Sequence, residues 1–268
     1  MSNRSAVTAM TSFGVREAFL YGVPVCHVAL TLLFRALKIC PDLSKKGSRG
    51  SDILAFSIVA SLCVAYFSIV GFIGYFGLSP LVDNLDGINE NRLYATSTYV
   101  VDYIVFPMLC YQTWNFFVCS YFKDFRTPDA LGHHIVTGML AYFGYDPFAQ
   151  YYALFYFGIA EVSSIPLTLM DGFKFVPALA RDYPSMNAAC KYTFVLSFFI
   201  VRIFIWPFVS YGLFFNCVDV LMSGEAHSTF VVCYFLFANL FLTGLQFYWA
   251  ILMIMKIMGS GKKSKKQN

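Results

Sequence analysis

Seven apolar stretches dominate this chain, near residues 15–37, 53–78, 99–121, 129–145, 148–170, 191–216 and 229–257. Each approaches the ~20 residues that a helix needs to cross the hydrocarbon of a bilayer. In lipid the backbone finds no water to bond, so each N–H and C=O must be satisfied within the protein. The expected fold class is therefore all-α: a polytopic membrane helix bundle of about seven transmembrane helices. The fourth stretch is the shortest, which leaves open six spans with a re-entrant fourth. Only 13% of residues are charged, against roughly 25% in a soluble domain, and the mean hydropathy is +0.63.

The basic residues set the expected orientation. Fifteen of them (among them Arg35, Lys38, Lys45, Lys46, Lys123, Arg126, Lys174 and Arg181) fall in alternate loops and in the tail, and only Arg4, Arg16 and Arg92 fall on the other side. That asymmetry places the C-terminus in the cytosol and the N-terminus in the lumen. No basic n-region or cleavage site opens the chain, so no cleaved signal peptide is expected. Asn3-Arg4-Ser5 is the single N-x-S/T sequon, on the expected lumenal end, and marks Asn3 as a candidate for glycosylation. The lysines of Lys265-Lys266-Gln267-Asn268 stand at −4 and −3 from the last residue. This spacing resembles a dilysine retrieval signal read by coat proteins, and it predicts the endoplasmic reticulum with cycling to the Golgi. The net charge of +4 comes mainly from loops and gives no reason to expect nucleic acid. The eight cysteines lie mostly in apolar stretches without CxxC spacing, and read as small hydrophobes.

Polar residues inside the apolar stretches are the candidate site, because ionisable groups in a membrane are costly and by default functional. His133-His134 opens the fourth stretch, with Thr137 a turn later and Gly132 and Gly138 around it. Glu161 lies deep in the fifth, followed by Ser163, Ser164 and Pro166, whose missing N–H cannot serve the Val162 carbonyl. Gln112 and Asn115 sit one turn apart on the third, near the depth of the histidines, and Asp102 lies at its lumenal mouth. Arg202 shares the depth of Glu161 on the sixth and is its candidate counter-ion. A neutral imidazole here can take a proton, attack an acyl group, or bond a lipid headgroup. The plainer reading gives the histidines to helix carbonyls and Glu161–Arg202 to a structural ion pair. There is no HExxH and no His pair at i,i+4, so no metal is expected.

Taken together, His133-His134-x-x-Thr137, Glu161-x-Ser163-Ser164 ahead of a proline, and Tyr99-x-x-Asp102 at the start of the third span resemble the core of the TLC domain family. The resemblance covers about 50–255. It implies six helices around a central lipid-accessible cavity in the endoplasmic reticulum or Golgi. It also implies three regions: 1–49 with the lumenal N-terminus, first helix and basic cytosolic loop; 50–257 as the TLC-like domain; and 258–268 as a basic cytosolic tail. Ceramide synthases of this family carry a D-x-x-D-x-x-L-E type motif, where this chain reads Glu161, Ser164, Leu167 and Thr168. One carboxylate is kept and two are missing, which places the chain with the TLC-domain-containing branch.

The function so implied is to bind or modify a membrane lipid, a sphingolipid or phospholipid, and to influence lipid composition. The lipid-binding set would be Asp102, Gln112, Asn115, His133, His134, Thr137, Glu161, Ser164 and Arg202. The alternative is an acyl-CoA-dependent N-acyltransferase, with acyl-CoA as co-substrate, no resident cofactor, and His133, His134 and Glu161 as the catalytic groups. A cargo or sorting receptor of the secretory pathway is the third reading.

Overall fold

A computed structural model describes residues 14–44, 46–78, 91–146 and 148–264; Asn3, Lys265 and Lys266 lie outside these. The helices in order are α1 (Gly14–Ala36), α2 (Gly50–Tyr75), α3 (98–121), α4 (Pro128–Phe143), α5 (Gln150–Phe175), the short α6 (Pro177–Asp182), α7 (Pro184–Ser223) and α8 (Thr229–Ser264). Among the described residues there is no strand, only an isolated antiparallel bridge between Leu43 and Arg49. All seven expected stretches are helical. Five helices, α1, α2, α5, α7 and α8, are long and apolar enough to cross a membrane, as in a multi-pass membrane protein. The remaining two have a physical reason to fall short of that measure. Asp102, Gln112 and Asn115 lower the hydropathy of α3. The 16 residues of α4 reach only about 24 Å. The sixth stretch begins earlier than its hydropathy suggests, because Pro184 starts α7 and polar Ser185, Asn187 and Lys191 follow it. Large apolar side chains point outward all round, such as Tyr192 at 78% and Phe208 at 80% exposure, a surface suited to lipid and not to water.

The chain forms two units, 1–194 and 195–268. In the first, α2 is central and packs against α1, α3 and α5, while α4 packs on α3. Starts are locally encoded. Thr127 accepts from Ala130 N–H at 3.4 Å and precedes Pro128, fixing where α4 begins. α1 buries little of itself and is tied at both ends. Arg16 Nε donates to Asp102 of α3 at 3.1 Å, and Arg35 Nε to Asp52 of α2 at 2.7 Å. Between them His27 packs edge-on against Trp114, with ring centroids 5.4 Å apart.

The closest approach in this unit is backbone on backbone. A Cβ built on Gly158 of α5 would lie 2.5 Å from Gly71 Cα of α2, and one on Gly71 would overlap Gly158 Cα. One turn along, a Cβ on Gly74 would meet Leu154 and Tyr99 side chains at 2.6 and 2.8 Å. In the opposite direction along the same seam, Ser61 and Thr168 hydroxyls bond at 2.7 Å. Small residues thus bring α2 and α5 together, as expected where lipid offers no hydrophobic drive between helices.

Prolines explain the other irregularities. α1, α3 and α7 each contain a π turn, at Ala18–Gly22, Val101–Val105 and Phe199–Ile205, and each ends two residues before a proline: Pro24, Pro107 and Pro207. A proline ring clashes with the carbonyl four residues back and offers it no N–H. Widening the preceding turn relieves that clash; Val23 N–H then bonds Ala18 O, and Phe106 N–H bonds Val101 O. For Pro107 the carbonyl four residues back is that of Tyr103, and Tyr66 O–H donates to it at 3.0 Å. α5 does likewise with a π turn at Leu154–Gly158 and a 3-10 turn at Ile159–Ser163 ahead of Pro166.

In the second unit, the 195–223 part of α7 and α8 are joined by a polar ladder. Trp206 Nε1 donates to Thr243 Oγ1 at 3.0 Å, Ser210 and Thr243 hydroxyls lie at 3.3 Å, and Asn239 Nδ2 donates to Ser210 O at 2.9 Å.

The glycine seam gives a direct expectation. Gly71→Ala and Gly158→Ala each overpack it and should destabilise by about 1–3 kcal/mol or more, read as a lower melting temperature in detergent. Gly244→Ala, which meets nothing within 4 Å, should leave it unchanged or raise it, since alanine is the better helix former.

Candidate functional site

α3 and α4 lie antiparallel beside each other, joined by the six residues 122–127, so the end of α3 and the start of α4 share one level. Gln112, Asn115 and Cys119 follow at i, i+3 and i+7 on α3, one face of a helix. Gly138 of α4 keeps the helices close, because a Cβ there would already touch Gln112 Cβ at 3.5 Å.

His134 is held by that face. Its Nδ1 lies 2.7 Å from Gln112 Oε1, and its Nε2 lies 3.7 Å from Cys119 Sγ. Gln112 Nε2 donates to Met108 Sδ at 3.3 Å, which turns the amide oxygen toward the ring. An oxygen can only accept, so Nδ1 carries the proton and Nε2 presents its lone pair to the thiol. Gln112, Asn115 and Cys119 are all buried. The His133 ring stands edge-on to His134, centroids 5.4 Å apart. Thr137 is buried with its hydroxyl unpartnered among the described residues.

Glu161 is buried in the 3-10 turn of α5. The same irregular turn that accommodates Pro166 and the Gly158 contact thereby sets the direction of the carboxylate. It lies within electrostatic range of Tyr111, a buried phenol that also neighbours Asn115. The first unit thus brings His134 to Gln112, and Glu161 and Asn115 to Tyr111, along α3.

The remaining expected residues have contacts of their own. Asp102 is engaged by Arg16, whose guanidinium also lies over the Phe106 and Tyr145 rings at 5.1 and 5.8 Å. Ser164 offers its carbonyl to Thr168 Oγ1 at 3.1 Å. Arg202 belongs to the second unit, with its guanidinium 5.6 Å from the Trp206 ring centroid. Among the described residues no group of three or more His, Cys, Asp and Glu is placed to hold a metal ion.

Cys119 was missed as a polar partner, having been read with the other cysteines as a small hydrophobe. Its signal was its helical phase with Gln112 and Asn115. Asp171, near Cys119 and 3.9 Å from Lys174 Nζ, was missed because it sits at the end of an apolar run.

A family model described as the TLC domain matches residues 52–255 of the 268. The chain belongs to the TLC domain family. Neither the curated proteins nor the solved structures contain a match. The matched TLC domain contains the His134–Gln112–Cys119 group and Glu161, and also Asp102 and the polar ladder of the second unit.

The Arg16–Asp102 pair should behave as a structural tie. Arg16→Ala and Asp102→Asn should lower the melting temperature by similar amounts, and the double variant by little more than either, the non-additivity of residues that act through one contact. Equal and additive losses would mean that each side chain works through different neighbours.

Proposed function

We propose that this TLC protein is a multi-pass protein of the endoplasmic reticulum that binds the polar end of a membrane lipid beside α3 and α4. The observation that carries the proposal is the oriented imidazole. His134 is fixed by Gln112, one turn from the buried Asn115 on α3, and Asn115 and the buried Glu161 both neighbour Tyr111. A set of buried donors and acceptors inside an apolar bundle suits a headgroup with hydroxyl, amine or ester functions, whose own polar atoms need partners away from water. On this reading the chain has seven spans and a cytosolic C-terminus, and the His134 end of α4 then lies near the cytosolic leaflet.

Lipids co-purified with the protein should be identified by mass spectrometry for wild type, His134→Ala, Gln112→Ala and Glu161→Ala. The variants should each deplete one lipid class by tenfold or more, the scale of one lost hydrogen bond to a polar partner of about 1.5 kcal/mol. Phe208→Ala on the outer surface should not. An unchanged profile in all three site variants would overturn the proposal.

Location and orientation are tested together. Lys265→Ser with Lys266→Ser should move the protein from the endoplasmic reticulum toward the Golgi and cell surface, and a C-terminal tag should be digested by protease in sealed microsomes. Protection of that tag, or reticular retention of the double variant, would remove the corresponding half of the reading.

A further inference from the structure

We infer that Ser48 is a phosphorylation site, and that a phosphate there opens a latch between the loop 37–49 and the residues that join α3 to α4. This rests on the cytosolic side given to that loop above and goes beyond the lipid site. Three serines lie close together in sequence, and the structure separates them. Ser44 is buried and donates to Asp124 Oδ2 at 2.8 Å. Ser51 is buried and donates to Asp52 Oδ1 at 3.1 Å. Ser48 is half-buried between the exposed Gly47 and Arg49, and its hydroxyl makes no bond among the described residues. Of the three, Ser48 alone offers a free nucleophile.

Its neighbours select the enzyme. Lys46 stands two positions before Ser48 and Arg49 one position after, and both are exposed. Kinases with acidic substrate grooves favour cations so placed, because complementary charge steers and orients the substrate. Gly47, with φ +91°, turns the chain between Lys46 and Ser48. The turn is closed by Gly47 N–H to Ser44 O at 3.0 Å and Ser44 N–H to Ser48 O at 2.7 Å. An exposed turn with so few bonds opens locally at low cost, and so can adopt the extended pose that a kinase binds.

The same turn is the latch. Ser48 N–H donates to Ser44 Oγ at 3.1 Å, and Ser44 Oγ donates to Asp124, so Ser48 lies two hydrogen bonds from a buried carboxylate. Lys46 Nζ adds a bond to Lys123 O at 3.2 Å. These contacts hold the loop against 122–127, the residues that lead into α4. In the transfer, Ser48 Oγ attacks the γ-phosphorus of ATP and the bond to the β,γ-bridging oxygen breaks. ADP leaves, and the hydroxyl proton passes to the kinase's catalytic carboxylate. The new group carries about −1.5 to −2 charges at pH 7. Beside Asp124 it repels the carboxylate, and it draws Lys46 away from the Lys123 carbonyl. Both effects part the loop from the α3–α4 connection.

The test uses the full chain in sealed microsomes, the catalytic fragment of protein kinase C with ATP as probe, and phosphopeptide mass spectrometry. Ser48 should take the phosphate while Ser44 and Ser51 do not, and Ser48→Ala should take none in this loop. On the purified chain, phosphorylation should speed hydrogen exchange in 41–50 and 122–127 by about fivefold or more, the scale of one lost hydrogen bond. Asp124→Asn keeps an oxygen acceptor and loses the charge, so it should blunt that rise. Ser44→Ala, with the latch already broken, should exchange fast with or without phosphate. The inference is overturned by no phosphate on Ser48 in detergent-opened microsomes, or by equal labelling of the three serines. Exchange that is unchanged or slowed by the phosphate overturns it too, as does the same rise in Asp124→Asn. Labelling of Ser48 only after detergent opening upholds the site and overturns the cytosolic placement on which it rests.

Discussion

The contact between Gly71 and Gly158 governs the first unit. Two helices that meet backbone to backbone lie closer than side chains would allow, and their neighbours must fit around that seam. Leu154 and Tyr99 close over Gly74, and the Ser61–Thr168 hydroxyl pair continues the seam along α2 and α5. The constraint also falls on the backbone of α5. Gly158 has φ −111° and ψ −86°, outside any regular helix, at the junction of the π turn and the 3-10 turn. Glu161 sits three residues later, so the contact that packs the unit also aims its buried carboxylate.

Much of this was legible in the sequence, for physical reasons that can be named. Long apolar runs have one backbone solution in lipid, so the all-helical class followed from them. His134 and Gln112 were singled out because polar groups in a membrane must meet one another. Three things were not legible. Asp102 was singled out at the lumenal mouth of its stretch, but its partner Arg16 stands 86 positions away on another helix, which spacing along the chain does not reveal. Cys119 looked apolar by type, and only its phase with Gln112 reveals it as a neighbour of an imidazole. The glycine seam was hidden because each glycine is unremarkable until its counterpart on the other helix is known.

The first helix shows how a membrane protein can attach an element without burying it. α1 buries little, and its apolar side chains such as Val25 and Leu32 face outward. Its attachment is concentrated at Arg16–Asp102 and Arg35–Asp52, near its two ends, with His27 against Trp114 between. Charge pairs at the ends of a helix lie where the membrane gives way to headgroups, the level at which an arginine is least costly.

The proline-linked π turns change what a helical wheel means in this protein. A regular helix advances about 100° per residue, and one wide turn inserts a residue without adding a full step of that rotation. Each such turn is therefore a phase shift. Asp102 lies in the π turn of α3 and Gln112 lies beyond it, so the two belong to different wheels although they share a helix. Asp102 can turn to α1 while Gln112, Asn115 and Cys119 turn to other neighbours. A single proline thus lets one helix address two partners along its length.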